Sequence, residues 1–315
     1  MTEAFALGVD IGGTKVAAGL VDTRGKIVKR SRVPMAATGD AENGLAAVLS
    51  AIGELLPASA GSVRGIGICS PGPLDPRRGV IINPPNLPCW RNFPLAERVR
   101  AHYNVPVRVD NDANAAALAE VLWGVGRGYR NVFYATVGTG IGSGIILDGK
   151  ILHGRTGAAG EAGHMGIDMH GPKCPCGKKG CVEVLASGPA IGRRARQKLG
   201  SHSNSVMHQL AGGDLHAVNG EIVSRAAQQG DALAREVIDE TLDVLAYWLG
   251  NVIDFQEPEV IVMGGGVSTA LAPYLEDIRR RWTGNVVNPW PEKVPLLLAH
   301  YGEEAGIAGA AALCE

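Results

Sequence analysis

The chain has 315 residues, more than one hydrophobic core usually serves, so two domains or lobes are expected. Hydrophobic residues make up 46% and charged residues 19%, which excludes extensive disorder. The 30 basic and 31 acidic residues nearly cancel, which excludes a global electrostatic footprint for nucleic acid or an anionic membrane.

The opening Met1-Thr2-Glu3-Ala4 lacks the basic segment and apolar run of a signal peptide, and no later run of about 20 apolar residues could span a bilayer. A cytoplasmic protein is expected, with neither nucleic acid nor membrane as partner. The 44 glycines cluster in short runs, where backbone approaches a ligand or takes positive φ.

FALGVDIGGTKVAAGLVD reads as strand, glycine turn and strand, with a third strand over Lys26 to Val33. Ala41 to Leu56 has helical apolar spacing, and Val63 to Cys69 is a buried-type strand ending at Ser70-Pro71-Gly72-Pro73. Asn83 to Pro94 is proline-rich and irregular. A helix over Phe93 to His102 and a strand over Pro106 to Val109 then deliver Asp110-Asn111-Asp112 to the Ala-rich helix Ala113 to Trp123. From Asn131 the opening theme recurs: strand Val132 to Val137, a turn over Gly138-Thr139-Gly140-Ile141-Gly142-Ser143-Gly144, and strand Ile145 to Leu147. Strand, glycines and strand appearing twice suggest two related lobes, each offering a phosphate loop. Further on, Asp231 to Phe255 is helical, strand Glu259 to Met263 leads into Gly264-Gly265-Gly266 with a helix from near Ser268, and a last helix covers Glu304 to Leu313.

No P-loop signature occurs, and Ser143 stands where a dinucleotide fingerprint needs glycine. What remains is Asp10-Ile11-Gly12-Gly13-Thr14-Lys15, where an acid ends a strand and backbone amides, a hydroxyl and an ammonium follow. Those groups suit a nucleoside triphosphate, with Asp10 holding Mg²⁺ through its waters.

His164, Cys174, Cys176 and Cys181 offer four N/S ligands within a glycine-punctuated stretch, the pattern of a structural zinc site. A disulfide is the competing explanation, disfavoured without an export signal. Cys69, Cys89 and Cys314 have no such grouping and are expected as buried free thiols. Glu161 and Glu183 bracket the cluster, so a metal there would also position two carboxylates and an imidazole toward sugar hydroxyls. Asp112 is the candidate general base for phosphoryl transfer to an alcohol, but an aspartate at a helix start also suits helix capping, and the residues leave both readings open.

Together DIGGTK, VDNDANAAALAE, VGTGIGSGI, GEAGHMG, CPCGKKGC-x-E and VMGGGVS, in this order and spacing, resemble the ROK family of sugar kinases, in its ATP-dependent glucokinase branch, from about Leu7 to the C-terminus. The resemblance implies an α/β fold of the ribonuclease-H-like, actin-like and hexokinase-type class. It implies a small lobe from residues 1–112 plus 303–315 and a larger lobe, 113–302, carrying the zinc loop. It implies transfer from ATP to the 6-hydroxyl of glucose, with Asp112 as base. Gly72, Asn83, Asn86, Asn111, Asp112, Glu161, His164 and Glu183 would contact the sugar. Asp10, Gly12, Gly13, Thr14, Lys15, Gly138, Thr139 and Gly140 would meet the phosphates and Mg²⁺, and Gly264, Gly265 and Gly266 the nucleoside. Zinc would sit on His164, Cys174, Cys176 and Cys181, and a homodimer or homotetramer is implied.

N-acetylmannosamine or N-acetylglucosamine kinases share the hydroxyl-reading motifs, and the pocket at carbon 2 separates them. The family also contains repressors with an N-terminal helix-turn-helix, for which a first strand near residue 5 leaves no room.

Overall fold

Phe5–Ile11 is an almost unbroken apolar run, the mark of a strand covered on both faces. In the computed structural model, which describes residues 4–56, 63–200 and 204–315, it forms the largely buried strand β1. The expectation drawn from Met1-Thr2-Glu3 falls outside the described residues.

β2 (Lys15–Val21) and β3 (Ile27–Pro34) continue as an antiparallel meander. Helix α1 (Ala41–Gly53) starts where Asp40 accepts the Glu42 amide, then β4 (Val63–Ser70) returns parallel to β1. The small hairpin β5 (Leu74–Asp75) and β6 (Val80–Ile81), helix α2 (Leu95–Tyr103), strand β7 (Val107–Asn111) and helix α3 (Asp112–Leu122) follow. The sheet order is β3-β2-β1-β4-β7, with β7 parallel to β4 at one edge. Cys69 is in register with Asp10 on one side and Asp110 on the other, so the three parallel strands end level. Leu7, Val9, Ile66, Ile68, Val107 and Val109 line one face of the sheet and bury Trp90 and Phe93 with them.

β8 (Val132–Val137), β9 (Ile141–Leu147) and β10 (Lys150–Ile151) open the second sheet, whose order is β10-β9-β8-β11-β12. The second glycine turn is shorter than its sequence suggests. Gly138 to Gly140 turn, whereas Gly142 and Gly144 belong to β9, which passes α3 so closely that a Cβ on Gly144 would lie 2.5 Å from the Ala113 carbonyl oxygen.

The later chain is helical: α4 (Val182–Ala186), α5 (Gly188–Leu199), α6 (Val206–Leu210), α7 (Gly220–Gln228) and α8 (Ala232–Gln256). Asp231 caps α8 by accepting the Ala234 amide at 2.8 Å, and the apolar spacing predicted there buries Leu242, Leu245, Leu249 and Val252 among its neighbours. β11 (Val260–Gly264), α9 (Gly266–Ala270), α10 (Leu275–Trp282), β12 (Leu296–Leu298) and α11 (Ala305–Ala312) complete the chain.

α11 lies on the second face of the first sheet, and its AGIAGAAA sequence lets it approach the strands backbone to backbone. A Cβ on Gly67 would stand 1.7 Å from the Ala310 carbonyl oxygen, a separation no side chain can occupy. Gly67→Ala is therefore expected to destabilise by about 3 kcal/mol, since helix or strand must move to relieve the overlap. Urea unfolding measures it, and a midpoint equal to wild type contradicts this packing.

Two compact units result: residues 1–134, 144–160 and 303–315, and residues 135–143 with 161–302. Sequence places 113–134 and 144–160 in the second lobe. By contact they group with the first unit, because α3 packs against α11, where a Cβ on Gly309 would lie 2.5 Å from the Ala115 carbonyl carbon. No helix among the described residues is long and apolar enough to cross a membrane.

Candidate active site

In the first unit the candidate groups gather at the carboxyl ends of the parallel strands, where open α/β sheets place ligands. Asp10 ends β1. Its Oδ1 accepts a hydrogen bond from the Cys69 thiol at 3.5 Å, and Gly306 at the start of α11 lies against it. Burial raises the Asp10 pKa, opposed by the Cys69 hydrogen bond and the Lys15 charge. The Gly12 amide bonds the Lys15 carbonyl at 2.9 Å to close the turn, and a Cβ on Gly13 would meet the Asn86 carbonyl at 3.0 Å, so the proline-rich segment lies beside this turn. Asn83, Asn86, Thr14 and Lys15 are exposed.

The junction of β7 and α3 separates two roles that the sequence left entangled. Asn111 is the helix cap: its Oδ1 accepts the amides of Ala113 at 2.9 Å and Asn114 at 3.4 Å. Asp112 is the first helical residue and is exposed, its Oδ1 accepting the adjacent Ala113 amide at 2.8 Å. Gly72 stands beside Asn111, whose Nδ2 would lie 3.9 Å from a Cβ at that position.

Asp110 carries a contact the sequence did not reveal. Its buried carboxylate accepts the Asn111 amide at 2.7 Å and Asn114 Nδ2 at 3.0 Å, and its Oδ2 meets His153 Nε2 at 2.6 Å. A lone histidine after β10, in no motif, gave no signal for this pairing. The Asp110 hydrogen bond and charge raise the His153 pKa, against burial and the Arg77 charge. A histidine raised in the folded state stabilises it fully below the ordinary histidine value of about 6.5, and the contribution fades as pH rises through the folded-state value. The stability advantage of wild type over His153→Gln is thus expected to be largest in mild acid and to shrink toward alkaline pH. Urea unfolding of both proteins across that range tests it, and a pH-independent difference would sink the ion pair.

In the second unit, Gly138 to Gly140, the turn Glu161 to His164 and helix α4 form one block. Glu183 Oε2 accepts the Ile141 amide at 3.0 Å, and Gly140 packs against that same oxygen. Glu183 therefore positions the glycine turn, a role the sequence did not suggest. Ala162 donates its amide to Ser143 Oγ at 3.3 Å, and a Cβ on Gly163 would fall 1.7 Å from the Ile141 carbonyl oxygen, so glycine is required there. Glu161 and Thr139 are exposed. Gly264 ends β11, and Gly265, at φ +88°, presses on the end of β8, where a Cβ would meet the Val137 carbonyl oxygen at 2.5 Å.

The four expected metal ligands converge, their donor atoms all within 4.8 Å of one another. Cys174 Sγ lies 3.6 Å from His164 Nδ1, and Cys176 Sγ lies 3.6 Å from Cys181 Sγ. Tetrahedral zinc with bonds of about 2.3 Å to sulfur separates its ligands by about 3.8 Å, so the donor set fits that ion. The three cysteines form no disulfide, and Nδ1 is the His164 nitrogen that faces Cys174. The loop is held by Cys174 N–H to the Lys178 carbonyl at 2.8 Å and Gly180 N–H to the Pro172 carbonyl at 2.8 Å. Of the other cysteines, Cys69 and Cys89 are buried and Cys314 only partly so, its thiol pushed up to about 12 by burial.

The sequence profile of the ROK family matches residues 6–315. A glucokinase of Thermotoga maritima is 35% identical over 99% of this chain and 98% of its own. An N-acetylmannosamine kinase of Salmonella typhimurium is 34% identical over 98% of each. A crystal structure of a ROK family glucokinase from Streptomyces griseus in complex with glucose and AMPPNP superposes with a TM-score of 0.83 at 35% identity, covering 98% of this chain and 99% of that one. The fold is accordingly the actin-like, hexokinase-type α/β fold. With matched motifs, matched order and coverage of nearly the whole sequence, this chain belongs to the ROK family.

Proposed function

We propose that this protein is an ATP-dependent glucokinase, transferring the γ-phosphoryl group of ATP to the 6-hydroxyl of glucose. The observation that carries the reading is the exposed Asp112 carboxylate at the junction of β7 and α3, where Asn111 supplies the helix cap. Glucokinase relatives along the full length support it.

In this reading Asp112 accepts the proton of the attacking 6-hydroxyl, and transfer is otherwise a matter of positioning and charge stabilisation. Gly72, Asn83, Asn86, Asn111, Glu161, His164 and Glu183 are the proposed contacts to the sugar hydroxyls. The amides of Gly12, Gly13, Gly138, Thr139 and Gly140, with Thr14 and Lys15, bind phosphate oxygens. Gly264, Gly265 and Gly266 flank the nucleoside, since glycines let the backbone come close. Bound Mg²⁺ would neutralise phosphate charge, and Asp10 would hold its waters. Zinc on His164, Cys174, Cys176 and Cys181 would order the loop and fix the His164 tautomer so that Nε2–H donates outward.

A homodimer or homotetramer is part of the proposal. Phe255 and Val287 are 89% and 90% exposed, and their segments are tied together where the Asp254 carboxylate accepts the Val287 amide at 2.9 Å. Large exposed apolar side chains grouped in this way suit burial against another subunit. A cytoplasmic location accords with this metabolic role.

ADP release with ATP and Mg²⁺ over glucose, mannose, fructose, allose, N-acetylglucosamine and N-acetylmannosamine tests the assignment. Preference for glucose is expected. Preference for N-acetylmannosamine, favoured by the 34% identical kinase of that name, would keep the mechanism and change the substrate, and absence of turnover would refute catalysis.

A further inference from the structure

A cavity of about 560 Å³ opens at the β7 edge of the first sheet, and every residue lining it belongs to the first unit. Its size lies within the range of small-molecule sites. Four arginines border it. Arg77 and Arg78 sit in the β5–β6 turn, whose backbone is fixed by Asp75 Oδ1 accepting both their amides at 3.0 and 3.2 Å. That turn presses on α2, where a Cβ on Gly79 would lie 2.2 Å from Ala96 Cβ. Arg100 is one helical turn beyond Ala96 on the same face of α2. Arg108 alternates along β7 with the core residues Val107 and Val109, and projects to the opposite side of this edge strand.

The charges around this cavity are unbalanced. Its two side-chain carboxylates already have partners: Glu315 receives Arg64 at 2.7 Å, and Asp110 holds Asn114 and His153, the latter also lining the cavity. Arg77 gives one N–H to the Gly154 carbonyl at 3.1 Å, and among the described residues none of the four arginines has a carboxylate partner. Leu118 and Ile151 supply an apolar wall. Four guanidinium groups, each able to grip a phosphate in bidentate fashion, bordering one cavity beside an apolar wall fit a compact organic body that carries more than one phosphate.

We propose that this cavity is a regulatory site for a small metabolite carrying two phosphate groups. Its floor is Asp110, followed directly by Asn111 and Asp112, so an occupant that shifts the Asp110–His153 contact alters the start of α3 and the base it carries. The regulatory readout rests on the kinase reading, whereas binding does not.

Fructose 1,6-bisphosphate is the probe, titrated calorimetrically into the full chain with and without saturating glucose and AMPPNP. Binding is expected to persist under saturation, to weaken roughly tenfold in each of Arg100→Gln and Arg108→Gln, and to change glucose turnover in wild type at a probe concentration roughly tenfold below that needed in those variants. Absence of binding at millimolar probe, equal binding by the variants, displacement by AMPPNP, or turnover indifferent to the probe each overturns the proposal. Glucose turnover without probe binding refutes this site alone. Probe binding without turnover of any sugar refutes the kinase reading and leaves the binding site standing.

Discussion

Asp112→Asn is expected to lower kcat roughly 100- to 10,000-fold, the range for loss of a general base, with the KM for glucose changed little. The variant keeps the shape of the side chain and an oxygen that can still accept the Ala113 amide, while removing the ability to take a proton. Fold stability should be unaffected, because the cap of α3 is Asn111. Asn111→Ala makes the useful contrast: it removes the cap, and a stability loss of about 1 kcal/mol is expected. Steady-state kinetics and urea unfolding on both variants separate the roles. If Asp112→Asn turned over glucose at the wild-type rate, or lost activity only in step with lost structure, Asp112 would not be the base.

Much of this site was legible because its chemistry is local. Asp10 with its glycine turn, Asp110-Asn111-Asp112 and the Cys-x-Cys loop each lie on a few consecutive residues, so strand-end and turn signals locate them without tertiary information. Three features were not legible, for a common reason. His153 meets Asp110 across 43 positions, Glu183 reaches the Ile141 amide across 42, and the arginine cavity draws on a turn, a helix and an edge strand. Register and packing make such contacts, and no spacing rule reports them.

Periodicity found the strands and the long α8, whose buried positions fall where helical spacing puts them. It misread Gly142-Ser143-Gly144 as turn, because a glycine in a strand looks the same as a glycine in a loop until the close neighbour is known. The contact grouping of α3 was likewise not legible. α3 follows β7 without a break, and only its packing on the C-terminal α11 groups it with the residues before it.

Loss of the metal should have the other large effect. Cys176 is exposed, so Cys176→Ser removes little packing, and what changes on substitution reports the metal itself. The consequences run along a chain of contacts within the second unit. Cys181 is the residue at the N-terminus of α4, α4 carries Glu183, and Glu183 holds the Ile141 amide that ends the glycine turn. His164 is at once the fourth ligand and the end of the turn that begins at Glu161. A loosened loop therefore frees proposed hexose contacts and a proposed phosphate turn together. Wild type is expected to carry the proposed zinc at one per chain, and Cys176→Ser to lack it, to melt roughly 5–10 °C lower, and to show a KM for glucose raised roughly tenfold, with a smaller change in kcat because Asp112 lies on another element. Metal analysis, calorimetric melting and kinetics read the three effects separately. A metal-free variant with wild-type melting temperature and KM would show that the cluster does not order the site, whereas falling stability with unchanged KM would confine zinc to the fold and release His164 from its role toward the sugar.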